Sequence, residues 1–119
     1  MKVAIIGSRS LCIDISGHIP ANTTEIISGG AMGIDRCARH YANANGIKLT
    51  EFLPEYNKYG RVAPLRRNEL IVNAADIVIA FWDGDSRGTK YTINCARRAG
   101  KEVSIIRVNR NLIHPDPAF

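Results

Sequence analysis

The sequence holds no apolar run near the ~18 residues that a membrane span requires. Its opening stretch, MKVAIIGSRS, turns polar after four apolar residues, too early for a secretory leader. No membrane association and a cytoplasmic location are therefore expected. Cysteine is scarce: Cys12, Cys37 and Cys95 are odd in number, widely spaced and without a CxxC pair. That argues against a disulfide framework and fits a reducing compartment. Cys37 and His40 stand at helical spacing, but no second pair completes a tetrahedral ligand set, so neither a metal nor another cofactor is expected. Ser-His-Asp order, paired carboxylates and the GxxxxGK[ST] phosphate loop are all missing, which removes the familiar signatures of hydrolases and P-loop proteins. Linkers, repeats and low-complexity tracts are missing too. With 119 residues, that leaves one domain over 1–119. A domain of this size has room for a small site or one shared between subunits.

What is present is a 45% hydrophobic chain with sixteen Lys and Arg against eleven Asp and Glu. The net charge of +5 favours anionic partners without separating nucleic acid from a phosphorylated small molecule. Apolar, β-branched runs predict strands at Val3–Ile6, Glu25–Ile27, Ile47–Leu53, Ile77–Trp82 and Val103–Ile106. The third partly alternates with polar residues, as a strand near an edge does. Between them the pattern predicts a short helix over Leu11–Ile19. A second runs over Ala31–Asn45 with the stripe Ile34, Cys37, Ala38, Tyr41 and Ala42, a third from Pro64 to Ala75 and a fourth over Thr89–Ala99. Gly46 and Gly100 are natural C-terminal caps. EYNKYGRVAP reads as a long connection, a kind more often functional than merely spacing. The tail from Asn109 is expected to be loosely held. Alternating strands and helices imply right-handed βαβ units, hence a Rossmann-like three-layer α/β/α sandwich with a mainly parallel sheet of about five strands.

In such sheets ligands lie beyond the carboxyl ends of the strands. Three small-residue loops stand there: Gly7-Ser8-Arg9-Ser10, Ser28 to Gly33, and Ser86-Arg87-Gly88-Thr89. Glycine lets backbone approach a ligand, and the free N–H groups of a following helix favour phosphate or carboxylate. A single glycine at such a turn more often serves backbone geometry alone; the recurrence of three loops on one edge shifts the balance toward binding. Asn68 shares a helical stripe with Ile71, Val72 and Ala75 and so points inward, either securing loop backbone or meeting a ligand beside Arg67. Thr89 caps its helix or touches phosphate. Asp35 complements the positive end of its helix or bonds ligand hydroxyls. Trp82, Tyr56 and Tyr59 stack on a base or pack at strand ends. The pairs Arg66-Arg67 and Arg97-Arg98 read as solvated helix faces.

The segments GSR (Gly7–Arg9), SGGAMGID (Ser28–Asp35), YGRVAPLRRN (Tyr59–Asn68) and AADIVIAFWDGDSRGTKYTINCARRAGKEV (Ala74–Val103) together resemble the SLOG superfamily. The similarity is greatest to its YspA-like branch of small single-domain proteins, and it runs over nearly the whole chain in order and spacing. The superfamily includes DprA recombination mediators, which bind single-stranded DNA, and LOG phosphoribohydrolases, which cleave nucleoside monophosphates at the N-glycosidic bond. Against the LOG motif PGGxGTxEE this chain has DSRGTKYT: Gly88 and Thr89 match, Arg67 fills the arginine position, and Tyr91 and Thr92 replace the glutamates. Neither replacement supplies the carboxylate that glycosidic cleavage needs. The DprA likeness is closer in SGGAMGID, RRN and SRGT. The further domains those proteins often carry are not expected here, and Arg36, Arg39, Arg61, Arg66 and Arg87 form a stripe only if oligomerisation aligns them.

The resemblance thus implies a homodimer that binds or senses a nucleotide or nucleotide-derived phosphorylated ligand. The residues expected to hold it are Gly7, Ser8, Arg9, Ser28, Gly29, Gly30, Gly33, Asp35, Arg67, Asn68, Ser86, Gly88 and Thr89. Single-stranded DNA binding is the alternative, and LOG-like hydrolysis stands behind it.

Overall fold

A computed structural model describes residues 1–109, so all but the first residue of the tail lies outside the described residues. Five strands form one sheet: β1 (Lys2–Gly7), β2 (Glu25–Ser28), β3 (Lys48–Glu51), β4 (Ile77–Trp82) and β5 (Glu102–Arg107). Their order is β3-β2-β1-β4-β5 and every pairing is parallel. The helices are α1 (Ile34–Ala44), α2 (Tyr56–Tyr59), α3 (Ala63–Ala74) and α4 (Arg87–Arg98).

Alternation along β1 separates two cores. Val3 and Ile5 face α1 through Ile34, Cys37, Ala38 and Ala42. Ala4 and Ile6 face α3 and α4 through Ile71, Val72, Ile93 and Ala96. Val3, Ala4 and Ile5 have no exposed surface, as a central strand covered on both sides requires. Each fully buried Ile or Val contributes about 1.5–3 kcal/mol relative to exposure. The result is a Rossmann-like α/β fold.

Several boundaries differ from the sequence reading, each for a local reason. The expected helix over Leu11–Ile19 is reduced to a 3₁₀ turn at Ser16–His18. Leu11 and Ile15 are buried at helical spacing. Between them, however, the Asp14 carboxylate accepts hydrogen bonds from Ser16 N (3.0 Å) and Ser16 Oγ (2.7 Å), a local turn that competes with helix formation. Those same bonds hold the Asp14 carboxyl below its ordinary value. The long connection contains α2 and a 3₁₀ turn, Gly60–Val62, that leads directly into α3. The second predicted helix loses its first three residues, because Gly33 adopts φ 70° and only then does α1 begin. The fourth starts earlier than expected, at Arg87.

The chain leaves β1 toward β2 on one side, and β4 returns to its other side. The loops after β1 and β4 therefore part company at this reversal, which is where such a sheet opens a crevice.

Candidate functional site

A cleft of about 360 Å³ occupies that position. Its lining includes Gly7, Arg9, Gly29, Gly30, Asp35, Arg67, Asn68, Ser86, Gly88 and Thr89, all singled out from the sequence. Ser8, Ser28 and Gly33 are not part of it. Ser8 is 2% exposed, and its carbonyl accepts from Leu11 N (3.3 Å) and Ile34 N (3.4 Å), joining the β1 loop to the start of α1. The Ser8 hydroxyl has no partner among the described residues. Ser28 is fully buried; its hydroxyl accepts from Gly30 N at 3.4 Å and its carbonyl from Phe52 N at 2.9 Å. At Gly33 a side chain would collide with the carbonyls of Arg9 and Ser8. These three residues shape the loops that frame the cleft.

On the β2 side the polar groups are largely consumed by one another. Arg67 reaches from α3 to donate through Nη1 to Gly29 O (2.7 Å) and Phe52 O (3.5 Å), tying the ends of β2 and β3 together. A Cβ on Gly29 would lie 2.5 Å from Arg67 Nη1 and 2.9 Å from Asp35 Oδ2. Glycine is thus what lets the guanidinium in. Burial lowers the Arg67 pKa, the Asp35 charge opposes that, and the group stays protonated. Its Nε is buried without a partner among the described residues. Asp35, 9% exposed, accepts from Ala31 N at 3.1 Å. Burial pushes its carboxyl above the ordinary range, against the pull of that N–H and of Arg67. Among the described residues Asp35 is the one acid in the cleft lining.

The β4 side is built differently. Asp83 Oδ1 accepts from Asp85 N (2.8 Å) and Ser86 N (2.9 Å), and Trp82 Nε1 donates to Ser86 O (3.1 Å), which fixes the turn. The cap of α4 is Ser86: its hydroxyl accepts from Thr89 N (3.4 Å) and lies 3.0 Å from Thr89 Oγ1. Thr89 is the residue being capped, which corrects the sequence reading. Lys90 N bonds Ser86 O at 3.2 Å. The N–H groups of Arg87 and Gly88 find no acceptor among the described residues. At Gly88 an added Cβ meets nothing within 4 Å.

Of the aromatics, Tyr56 lines the cleft and is 60% exposed. Trp82 lies outside the lining, beneath the Arg107 guanidinium (5.7 Å), and Lys58 sits 5.1 Å from the Tyr59 ring. Asn68, half-buried, does border the cleft. Sequence reading missed an apolar wall of Leu53, Pro54 and Leu65. Leu53 is 64% exposed, and Met32 in the neighbouring loop 55%. The signal was available: the loop after β3 belongs to the same carboxyl edge as the other three. Tyr91 turns away to donate to Glu69 Oε1 at 2.6 Å, a bond that raises the phenol's pKa and lowers the carboxyl's. Thr92 lines the cleft and donates to Gly88 O at 2.9 Å.

Cys37 is 8% exposed in the core while His40 is exposed, so they do not converge on a metal. Among the described residues no group of three or more potential ligands is assembled, and no helix is long and apolar enough to cross a membrane. Comparison with protein-family models, with curated proteins and with solved structures finds no match to this chain.

Proposed function

We propose that the cleft binds a nucleotide or nucleotide-derived phosphorylated ligand, in a binding or sensing role. Gly88 carries this reading. It sits in the first turn of α4, where alanine would be the better helix former, and neither a positive φ nor a close neighbour demands glycine there. A bare backbone beside two N–H groups without acceptors suits an anion approaching the positive end of the helix. Arg9 and Arg67 add positive charge to the same lining. At the opposite end stand Leu53, Pro54 and Tyr56, from the loop after β3. Strands β3 and β4 are three strand spacings apart, about 14 Å. An anion at one end and a flat apolar group at the other is the chemistry of a nucleotide. The cleft volume is at the small end of ligand pockets, as such a ligand requires.

Catalysis is not part of the proposal, because Thr92 occupies the place where a LOG-type enzyme has a carboxylate. Single-stranded DNA binding stands second: Arg39 and Arg66, two of the arginines it would use, are paired with Glu51 and Glu69. A cytoplasmic homodimer of SLOG type belongs to the same proposal, and native mass spectrometry checks its stoichiometry.

Thermal-shift titration with nucleoside monophosphates, ADP-ribose-type fragments and short single-stranded oligonucleotides tests the reading. A ligand at 100-fold its Kd stabilises by about 2.7 kcal/mol. Gly88→Val keeps the fold and loses that shift. Response only to longer oligonucleotides, with affinity falling steeply with salt, overturns the reading in favour of DNA. Release of free base overturns it in favour of hydrolysis.

A further inference from the structure

The three cysteines are widely spaced in the sequence, but folding places two of them together. Cys12 lies in the irregular segment after β1, and Cys37 is the fourth residue of α1. The Cys37 thiol donates toward the Cys12 sulfur at 4.0 Å. Both belong to the core on the α1 face, with Cys37 8% exposed and Cys12 half-buried at its edge. Cys95 is on α4 and packs in the other core, across the sheet.

We propose that Cys12 and Cys37 form a reversible disulfide on reaction with a hydroperoxide. The inference is independent of what the cleft binds. A disulfide needs the sulfurs at about 2.05 Å, so they must close by about 2 Å. Cys12 is in a stretch with neither helix nor strand, whose backbone is free of the α1 hydrogen-bond ladder. Side-chain torsions at both residues share the movement.

The chemistry balances with the peroxide as sole oxidant. The more accessible Cys12 thiolate attacks the O–O bond; an S–O bond forms, the O–O bond breaks, and an alcohol (water, from hydrogen peroxide) leaves. Cys37 then gives up its proton and attacks the Cys12 sulfur; the S–S bond forms, the S–O bond breaks, and the oxygen departs as water. Two thiols lose two electrons and two protons, and the peroxide gains both. Cellular thiol reductants reverse the bond by exchange, consistent with a chain that lacks a structural disulfide framework.

The bond would tether residues 25 positions apart. It would fasten the segment just beyond Arg9 to the helix that carries Asp35, and so stiffen one rim of the cleft. The test uses the full chain carrying Cys95→Ser, treated with one equivalent of hydrogen peroxide and measured by intact mass. The expected result is a monomer lighter by about 2 Da, with no titratable thiol and full recovery on reduction. Adding Cys12→Ser or Cys37→Ala, with the fold checked by circular dichroism, must abolish the loss. The bond must also form faster in the folded protein than in urea. Gain of oxygen without loss of hydrogen, disulfide-linked dimers only, or equal rates folded and unfolded would each overturn the proposal.

Discussion

The loop from Ser28 to Gly33 and the loop from Asp83 to Ser86 look alike as sequence, both short, small-residued and followed by a helix, but they meet different demands. In the first, Gly30 and Gly33 have φ near 70°, and Gly29 makes room for Arg67. Two of its N–H groups are spent internally, Gly30 N on Ser28 and Ala31 N on Asp35, and Ile34 N at the start of α1 bonds Ser8 O. In the second, Ser86 and Asp83 fix the turn, and Gly88, just inside α4, is constrained by nothing around it. A glycine that the fold requires says little about ligands. One that the fold does not require, as at Gly88 and equally at Gly17, can be replaced to ask whether a ligand needs it.

Substitutions break or sharpen this contrast, and the largest effect is expected at Gly7. A Cβ there would lie 2.6 Å from both Ile34 Cγ1 and Phe81 O, so Gly7→Val should cost about 3 kcal/mol or more in urea denaturation. A loss below ~1 kcal/mol would place Gly7 in the same class as Gly88. Next comes Arg67→Ala, which removes the donor from Gly29 O and Phe52 O and should cost about 1–3 kcal/mol. Any ligand affinity lost in that variant must be separated from the loosened loop, and hydrogen exchange at Gly29–Ala31 reports on it directly.

Gly88→Ala should have the opposite sign. Thermal unfolding is expected to show about 0.5–1 kcal/mol of added stability, with weakened nucleotide binding in the same sample. Stability gained with affinity unchanged would end the functional account of this glycine. Asp35→Asn comes last, and its effect is read from the pH dependence: it is absent in strong acid and fully developed at neutral pH. Its raised carboxyl means that the folded chain holds the proton more tightly than the unfolded one. Stability therefore falls as pH rises from 3.8 through the folded-state value, and levels off beyond it. Asparagine keeps an acceptor for Ala31 N–H and removes that slope, which a denaturation series across acid pH would register.

The strands were legible because their apolar runs are continuous: Ile77 to Trp82 was read with the same limits that β4 has. Leu11–Ile19 misled because Leu11 and Ile15 carry helical spacing while Asp14 and Ser16 close a turn between them. At α4 the misassigned cap came from weighing Thr89 without Ser86, although both can cap and Ser86 precedes the first helical residue. The cleft could be anticipated from the rule that loops gather at the carboxyl edge. What one dimension could not supply was which glycines are crowded, since the neighbours of Gly7 and Gly29 are Ile34, Phe81 and Arg67, tens of residues away. The nearness of Cys12 to Cys37 was hidden for the same reason.

The strand order has a consequence in time. β1 pairs with β2 along one edge and with β4 along the other, from Val3↔Ile77 to Gly7↔Phe81. A ribosome releases β1, β2, α1 and β3 before β4 exists, so the nascent chain carries an apolar strand with one edge unpaired. Such an edge is a template for pairing with another chain. A translation product stalled before Ile77 is thus the form of this protein expected to aggregate most readily, and the one for which a chaperone holding that edge matters most.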